Sequence, residues 1–161
     1  MFPYETEAEL FVCNETLFEV SGELKWSLRN VKGEILEEGK ENITVMPQST
    51  VTIEEIDFNK TDVLNNYIEY SFAISGEIVS SGTALFTVSK HFNFVDPELS
   101  YEINGDKITV TSKAFAKAVC ISSDEDIILS DNYFDLNSES KTVTILKGNA
   151  KNIKLTSVYD I

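Results

Sequence analysis

Hydrophobic residues recur at every second position along most of this chain, and that period leaves little room for any architecture but antiparallel β-sheet. Leu24, Trp26 and Leu28 alternate with Glu23, Lys25, Ser27 and Arg29. Successive side chains of a strand point to opposite faces, so such a stretch reads as a half-buried strand with one wet face. Ile68, Tyr70, Phe72 and Ile74 alternate with Glu69, Ser71 and Ala73, and Ala84, Phe86 and Val88 with Thr83, Leu85 and Thr87. Further on, Ile108 and Val110 flank Thr109, and Val143 and Ile145 interleave with Thr142 and Thr144. No stripe of helical period has comparable length. A single helical turn is expected over Asn59 to Tyr67, capped by Asn59 or Thr61.

Turn signals punctuate these runs at the spacing of an all-β sandwich. Asn30-Val31-Lys32-Gly33, Met46-Pro47-Gln48-Ser49 and Lys147-Gly148-Asn149 each separate two candidate strands. Asn104-Gly105 predicts a tight hairpin with Asn and Gly as its central residues, because both tolerate positive φ. The stretch from Ser89 to Asp96-Pro97 follows a finished strand and ends in a dipeptide that favours extended or turn backbone. The expectation is two β-sandwiches in tandem, residues 1–89 and 97–161, joined by a linker over 90–96. Phe92, Phe94 and Val95 are expected to pack between them.

Composition excludes several functions. Hydrophobic residues make up 42% of the 161, enough for a core. No apolar run approaches the roughly 20 residues of a membrane-spanning helix, and the first seven residues have no signal-peptide pattern. The net charge is −14, without a Lys/Arg cluster, so nucleic acid and membrane are not expected partners. Residues 1–90 hold 16 acids against 6 bases, and residues 91–161 hold 11 against 7, so the acidity is concentrated in the first half. Cys13 and Cys120 fall in different predicted sandwiches, which leaves no pair for an intradomain disulfide. Both are expected to be buried free thiols. The single histidine, His91, lies in the predicted linker with no catalytic motif around it.

Three stretches carry a family resemblance. Ser130-Asp131-Asn132-Tyr133-Phe134-Asp135-Leu136, followed by Lys141-Thr142-Val143-Thr144-Ile145, resembles the closing strands of the C-terminal immunoglobulin-like domain of β-mannosidases, in glycoside hydrolase family 2. Phe11 to Leu17 followed by Ser21-Gly22-Glu23-Leu24-Lys25-Trp26 resembles the start of that family's preceding domain, and Lys90-His91-Phe92 with Asp96-Pro97 its interdomain junction. The resemblance implies an all-β chain of two immunoglobulin-like antiparallel β-sandwich domains. It implies a parent retaining glycosidase that hydrolyses terminal β-mannosyl residues, whose upstream catalytic barrel is the expected partner. Retaining chemistry uses two carboxylates about 5 Å apart on a rigid frame. With no strand–helix alternation here, no catalytic, cofactor-binding or metal residue is assigned, and no cofactor is expected. The alternatives are a carbohydrate-binding module with a glycan ligand, or the tail of a related exo-glycosidase with another sugar specificity.

The candidate residues divide accordingly. Trp26 is in phase with Leu24 and Leu28 and is expected in the core, not as a sugar platform. Asp131 and Asn132 are expected to hold nearby backbone, with Tyr133 and Phe134 pointing to opposite faces. Asn14-Glu15 matches an acid/base dipeptide only superficially, and the adjacent Glu37-Glu38 and Glu54-Glu55 cannot converge on one face of a strand. Asp124-Glu125-Asp126, with Asp131 and Asp135, is weighed as a cation site and read as a solvated loop, since its spacing fits no EF-hand and no Gly sits where such a loop must bend. Sequons occur at Asn14, Asn42 and Asn59, little more than chance spacing supplies, and give only weak evidence of secretion.

Overall fold

The computed structural model describes residues 6–53, 56–58 and 61–161. Glu54-Glu55 and Asn59, with its sequon, lie outside the described residues. The chain divides into two units. The first comprises the chain up to Arg29 with Ile35–Phe92, and the second Asn30–Glu34 with Asn93–Ile161. Both are antiparallel β-sandwiches, and no α-helix occurs among the described residues.

The first unit contains β1 (Glu7–Ala8), β2 (Phe11–Asn14), β3 (Val20–Asn30), β4 (Ile35–Val45), β5 (Ser49–Thr52), β6 (Ile56–Asp57), β7 (Asn66–Ile74) and β8 (Glu77–Leu85). Its main sheet has the order β4-β3-β7-β8, and two short ladders, β2-β5 and β1-β6, complete it. The alternation of β3 and β7 sets the inner face. Leu24, Ile43, Val45 and Phe72 pack against Leu10, Val12 and Val51. Leu28, Phe58 and Ile68 pack against Ala8, Trp26 and Phe86.

Three glycines inside strands fit the large aromatics of this unit. Gly39 pairs with Trp26 across β3–β4, and Gly82 with Tyr70 across β7–β8. A Cβ at Gly39 would collide with the Trp26 indole, one at Gly82 with the Tyr70 phenol, and one at Gly22 with the Phe72 ring and the Ala73 carbonyl. Glycine normally weakens a strand interior. Here its missing side chain is filled by the ring of the neighbouring strand.

The second unit contains β9 (Ser100–Asn104), β10 (Lys107–Thr111), β11 (Phe115–Ser122), β12 (Ile128–Leu129), β13 (Phe134–Asn137), β14 (Ser140–Lys147) and β15 (Lys154–Thr156). Sheets of order β12-β14-β10-β9 and β13-β11-β15 enclose Ile108, Val110, Val119, Ile121, Leu136 and Val143. Phe92 is buried and meets Tyr67 edge-on in the first unit. Phe94 stacks on Phe115 in the second, and Val95 is exposed.

Four local expectations are corrected. The hairpin between β9 and β10 turns one residue later, because Asn104 pairs with Lys107. Its central residues are Gly105 and Asp106, and only Gly105 has positive φ, at 63°. That is the glycine-first pattern of a type II′ turn. The helical turn expected over Asn59 to Tyr67 is reduced to one turn over residues 63–65, opened by Asp62, whose carbonyl accepts from the Asn65 and Asn66 amides. The Asp62 carboxylate accepts from the Leu64 amide and the Asn65 side chain, and Asn66 already begins β7. The strand carrying Ala84 begins at Glu77 and ends at Leu85, leaving Val88 exposed beyond it. Cys13 is exposed rather than buried, because β2 turns Val12 and Asn14 inward and Phe11 and Cys13 outward. Cys120 is half-buried, and both thiols are free.

Gly39→Val should destabilise the first unit by about 1–3 kcal/mol through overpacking against Trp26. Urea unfolding followed by tryptophan fluorescence checks this. A midpoint unchanged at constant slope would show that the indole does not depend on the glycine.

Candidate functional site

The run singled out by the sequence, Ser130 to Leu136, is an organised polar loop leading into β13. Asn132 stands beside β11 where a neighbouring strand would otherwise pair. Its Oδ1 accepts from the Ile121 amide at 2.8 Å, and its Nδ2 donates to the Ile121 carbonyl at 3.0 Å. One side-chain amide thus satisfies both main-chain groups of a buried core residue, as buried backbone requires. Asp131 caps the loop by accepting from the Asn132 amide at 2.8 Å and pairs with Lys141 at 2.6 Å. Lys141 also lies over the Phe134 ring, 4.7 Å from its centroid.

Asp135 plays the matching role on β13. Its Oδ1 accepts from the Ala118 amide at 2.8 Å, and its Oδ2 pairs with Lys117 at 3.0 Å. Ala118 has φ of 52° within a register shift between Ala116 and Val119. Non-glycine residues adopt that conformation only when their surroundings fix them, and here a carboxylate holds the bulge amide.

Phe134 and Tyr133 point apart. Phe134 joins the core, whereas Tyr133, with φ of 62°, is 68% exposed. The Tyr133 phenol titrates above its ordinary range. The main cause is its hydrogen bond with the Cys120 side chain, followed by the charge Cys120 carries when ionised and by desolvation.

Trp26 is half-buried, not wholly enclosed. Its ring meets Phe58 edge-on at 5.4 Å, and Phe58 meets Phe86 at 5.8 Å. The ring is part of an aromatic chain and also borders an open cleft. On the same sheet an open cleft of about 520 Å³ is lined by Ser27, Arg29, Glu38, Glu69 and Tyr70, among others. Glu69 is held by the Arg29 guanidinium at 2.6 Å and by the Ser27 hydroxyl at 3.3 Å. Ser27 in turn accepts from Arg29 Nε at 3.0 Å. These residues lie 40 positions apart in sequence, and nothing local announced their meeting.

Asn14 is a structural hub. It is buried, and its Nδ2 donates to the carbonyls of Phe18, Val45 and Met46, while its Oδ1 accepts from the Thr16 amide and hydroxyl. The Asn-x-Thr pattern of a side-chain-stabilised turn was the available signal. Glu15 beside it is exposed. The acidic stretch is dispersed: Asp124 accepts from Asn152, and Glu125 pairs with Lys151. Among the described residues, no group of three or more His, Cys, Asp or Glu side chains is arranged to hold a metal ion.

Two antiparallel sandwiches whose ordered polar side chains are spent on main-chain groups and ion pairs define a tandem immunoglobulin-like module. Residues 6–91 match the family model of the mannosidase Ig/CBM-like domain, and residues 94–161 match an Ig-fold domain model. The first match covers more than half of the chain, which therefore belongs to the mannosidase Ig/CBM-like domain family. A comparison with curated proteins gave no match. Among solved structures, the chain is similar to the β-D-mannosidase from Dictyoglomus thermophilum, at 15% identity and a TM-score of 0.77, covering 94% of this chain and 20% of that one. It is also similar to the exo-chitosanase CsxA of Amycolatopsis orientalis, at 13% identity and a TM-score of 0.61, covering 92% of this chain and 25% of that one. The chain thus spans a fifth to a quarter of those enzymes' lengths. At such identities the likeness is one of fold.

Two outcomes are expected for the Ser130 to Leu136 run. Asn132→Ala strands both Ile121 main-chain groups and should cost about 2–3 kcal/mol, whereas Asp131→Ala removes a largely exposed ion pair and a loop cap and should cost about 1 kcal/mol or less. Equal losses in denaturant unfolding would contradict the assignment of Asn132 as a strand substitute. Spectrophotometric titration should place Tyr133 above the ordinary tyrosine range, and Cys120→Ala should return it there. A raised folded value means that the linked stability is present below the unfolded pKa and is lost as pH rises through the folded one. A tyrosine titration curve unaltered by Cys120→Ala would show that the contact does not form.

Proposed function

We propose that this chain is the non-catalytic C-terminal region of a β-mannosidase-like glycoside hydrolase, where its two sandwiches support the catalytic barrel. The observation that carries this reading is the consecutive match to two mannosidase-type domains over 6–91 and 94–161. The polar geometry is consistent with it. Glu69 and Asp135 are engaged by Arg29 and Lys117. The parent enzyme would be a retaining glycosidase acting on terminal β-mannosyl residues through a pair of carboxylates in its barrel. The exo-chitosanase neighbour supports one alternative, a related exo-glycosidase with another sugar specificity.

The isolated chain should show no turnover of aryl β-mannosides. Removing it from the complete enzyme should lower the melting temperature of what remains. Turnover by the isolated chain that is abolished at Glu15, Glu38 or Glu69 would refute the non-catalytic reading. An unchanged melting temperature after removal would refute the supporting role.

A further inference from the structure

Leu17 and Phe18 are the most conspicuous misfits in the first unit. They are 72% and 77% exposed, at the tip of the loop between β2 and β3. Met46, 58% exposed, projects from the neighbouring loop between β4 and β5. Apolar side chains on a mobile loop fold back onto the surface. This tip is prevented from doing so, because buried Asn14 bonds the carbonyls of Phe18 and Met46 at 2.7 and 3.2 Å. The Gln48 amide donates to the Thr16 carbonyl at 3.2 Å, tying the two loops together. The Phe18 amide donates to Thr16 Oγ1 at 3.3 Å and fixes the tip from within. The result is a preorganised apolar knob flanked by exposed Glu15 and Glu19.

We infer that Leu17, Phe18 and Met46 form the anchor by which this module docks onto the rest of its own enzyme, in an apolar hollow rimmed by Lys or Arg. The inference rests on the proposed membership of a larger hydrolase. Charge decides the occupant. Two copies meeting tip to tip would set Glu15 and Glu19 against their equivalents in a chain already carrying −14, and like charges there oppose association. A basic-rimmed hollow instead complements both glutamates while enclosing the apolar centre. Preorganisation lowers the ordering cost of docking, and Phe and Met are enriched at interface centres, which a polar rim surrounds.

Leu17→Cys in a Cys13→Ser background tests this by maleimide labelling, read on the peptide that carries the site. In the 161-residue chain the new thiol should react as a freely exposed one. In the complete enzyme it should react slower by on the order of tenfold or more, as buried thiols do. Equal rates in both would overturn the inference. Phe18→Lys should leave the melting temperature of the isolated chain unchanged and lower that of the complete enzyme, whereas an equal loss in both would mark Phe18 as internal structure. Sedimentation of the isolated chain should show a monomer, and a dimer abolished by Phe18→Lys would make a second copy the occupant instead. If removing the whole module destabilises the enzyme while the Leu17→Cys rates stay equal, the supporting role stands and this surface is refuted.

Discussion

Buried main-chain groups must be paired, and both sandwiches meet that demand with side chains where their ladders run out. In the first unit β2 and β5 pair over only four residues. Asn14 gathers through one nitrogen the carbonyls of Val45, at the end of β4, and of Met46 and Phe18 in the adjoining loops. In the second unit β11 shifts register between Ala116 and Val119. The Asp135 carboxylate takes the Ala118 amide, and Asn132 takes both groups of Ile121. Leaving one buried group unpaired costs about 1–3 kcal/mol, a large part of a domain's net stability. These residues therefore determine where each sheet can end and which loops can be ordered.

The all-β class and the core of each unit were legible in the sequence because strand period is a local property. Leu24, Leu28, Ile68, Ile108, Val110 and Val143 are buried where alternation put them. Errors arose where phase or pairing depends on a distant partner. Cys13 reads as a small apolar residue, yet the inward turn of Asn14 next to it sets the phase of β2 and leaves the thiol outside. The Asn104-Gly105 dipeptide marked the right hairpin, but cross-strand register moved the turn to Gly105-Asp106. Gly22, Gly39 and Gly82 showed no reason for being in strands until the rings of Phe72, Trp26 and Tyr70 were seen above them. The polar run at Asp131 to Asp135 was recognisable as a backbone holder, but its target, Ile121, could not be read from sequence.

Charge acts here mainly through position. Lys113–Glu98 and Lys151–Glu125 are well-exposed pairs, each with limited effect on stability. Arg29–Glu69 and Lys117–Asp135 are more sheltered and share their carboxylates with Ser27 and the Ala118 amide. Each thereby fixes a strand crossing or a bulge. The excess negative charge stays on the outside, where it opposes self-association and selects against acidic partners.

This division of labour bears on function. Catalysis by paired carboxylates requires one group kept protonated and another kept ionised, each with freedom to reach a substrate. Glu69 and Asp135 are instead engaged by Arg29 and Lys117. Asn14 acts twice, closing the interior below and immobilising the loops that carry Leu17, Phe18 and Met46 above. A residue that satisfies buried carbonyls would be retained for folding alone. The same hydrogen bonds hold Leu17, Phe18 and Met46 out in solvent, as the inferred docking surface requires.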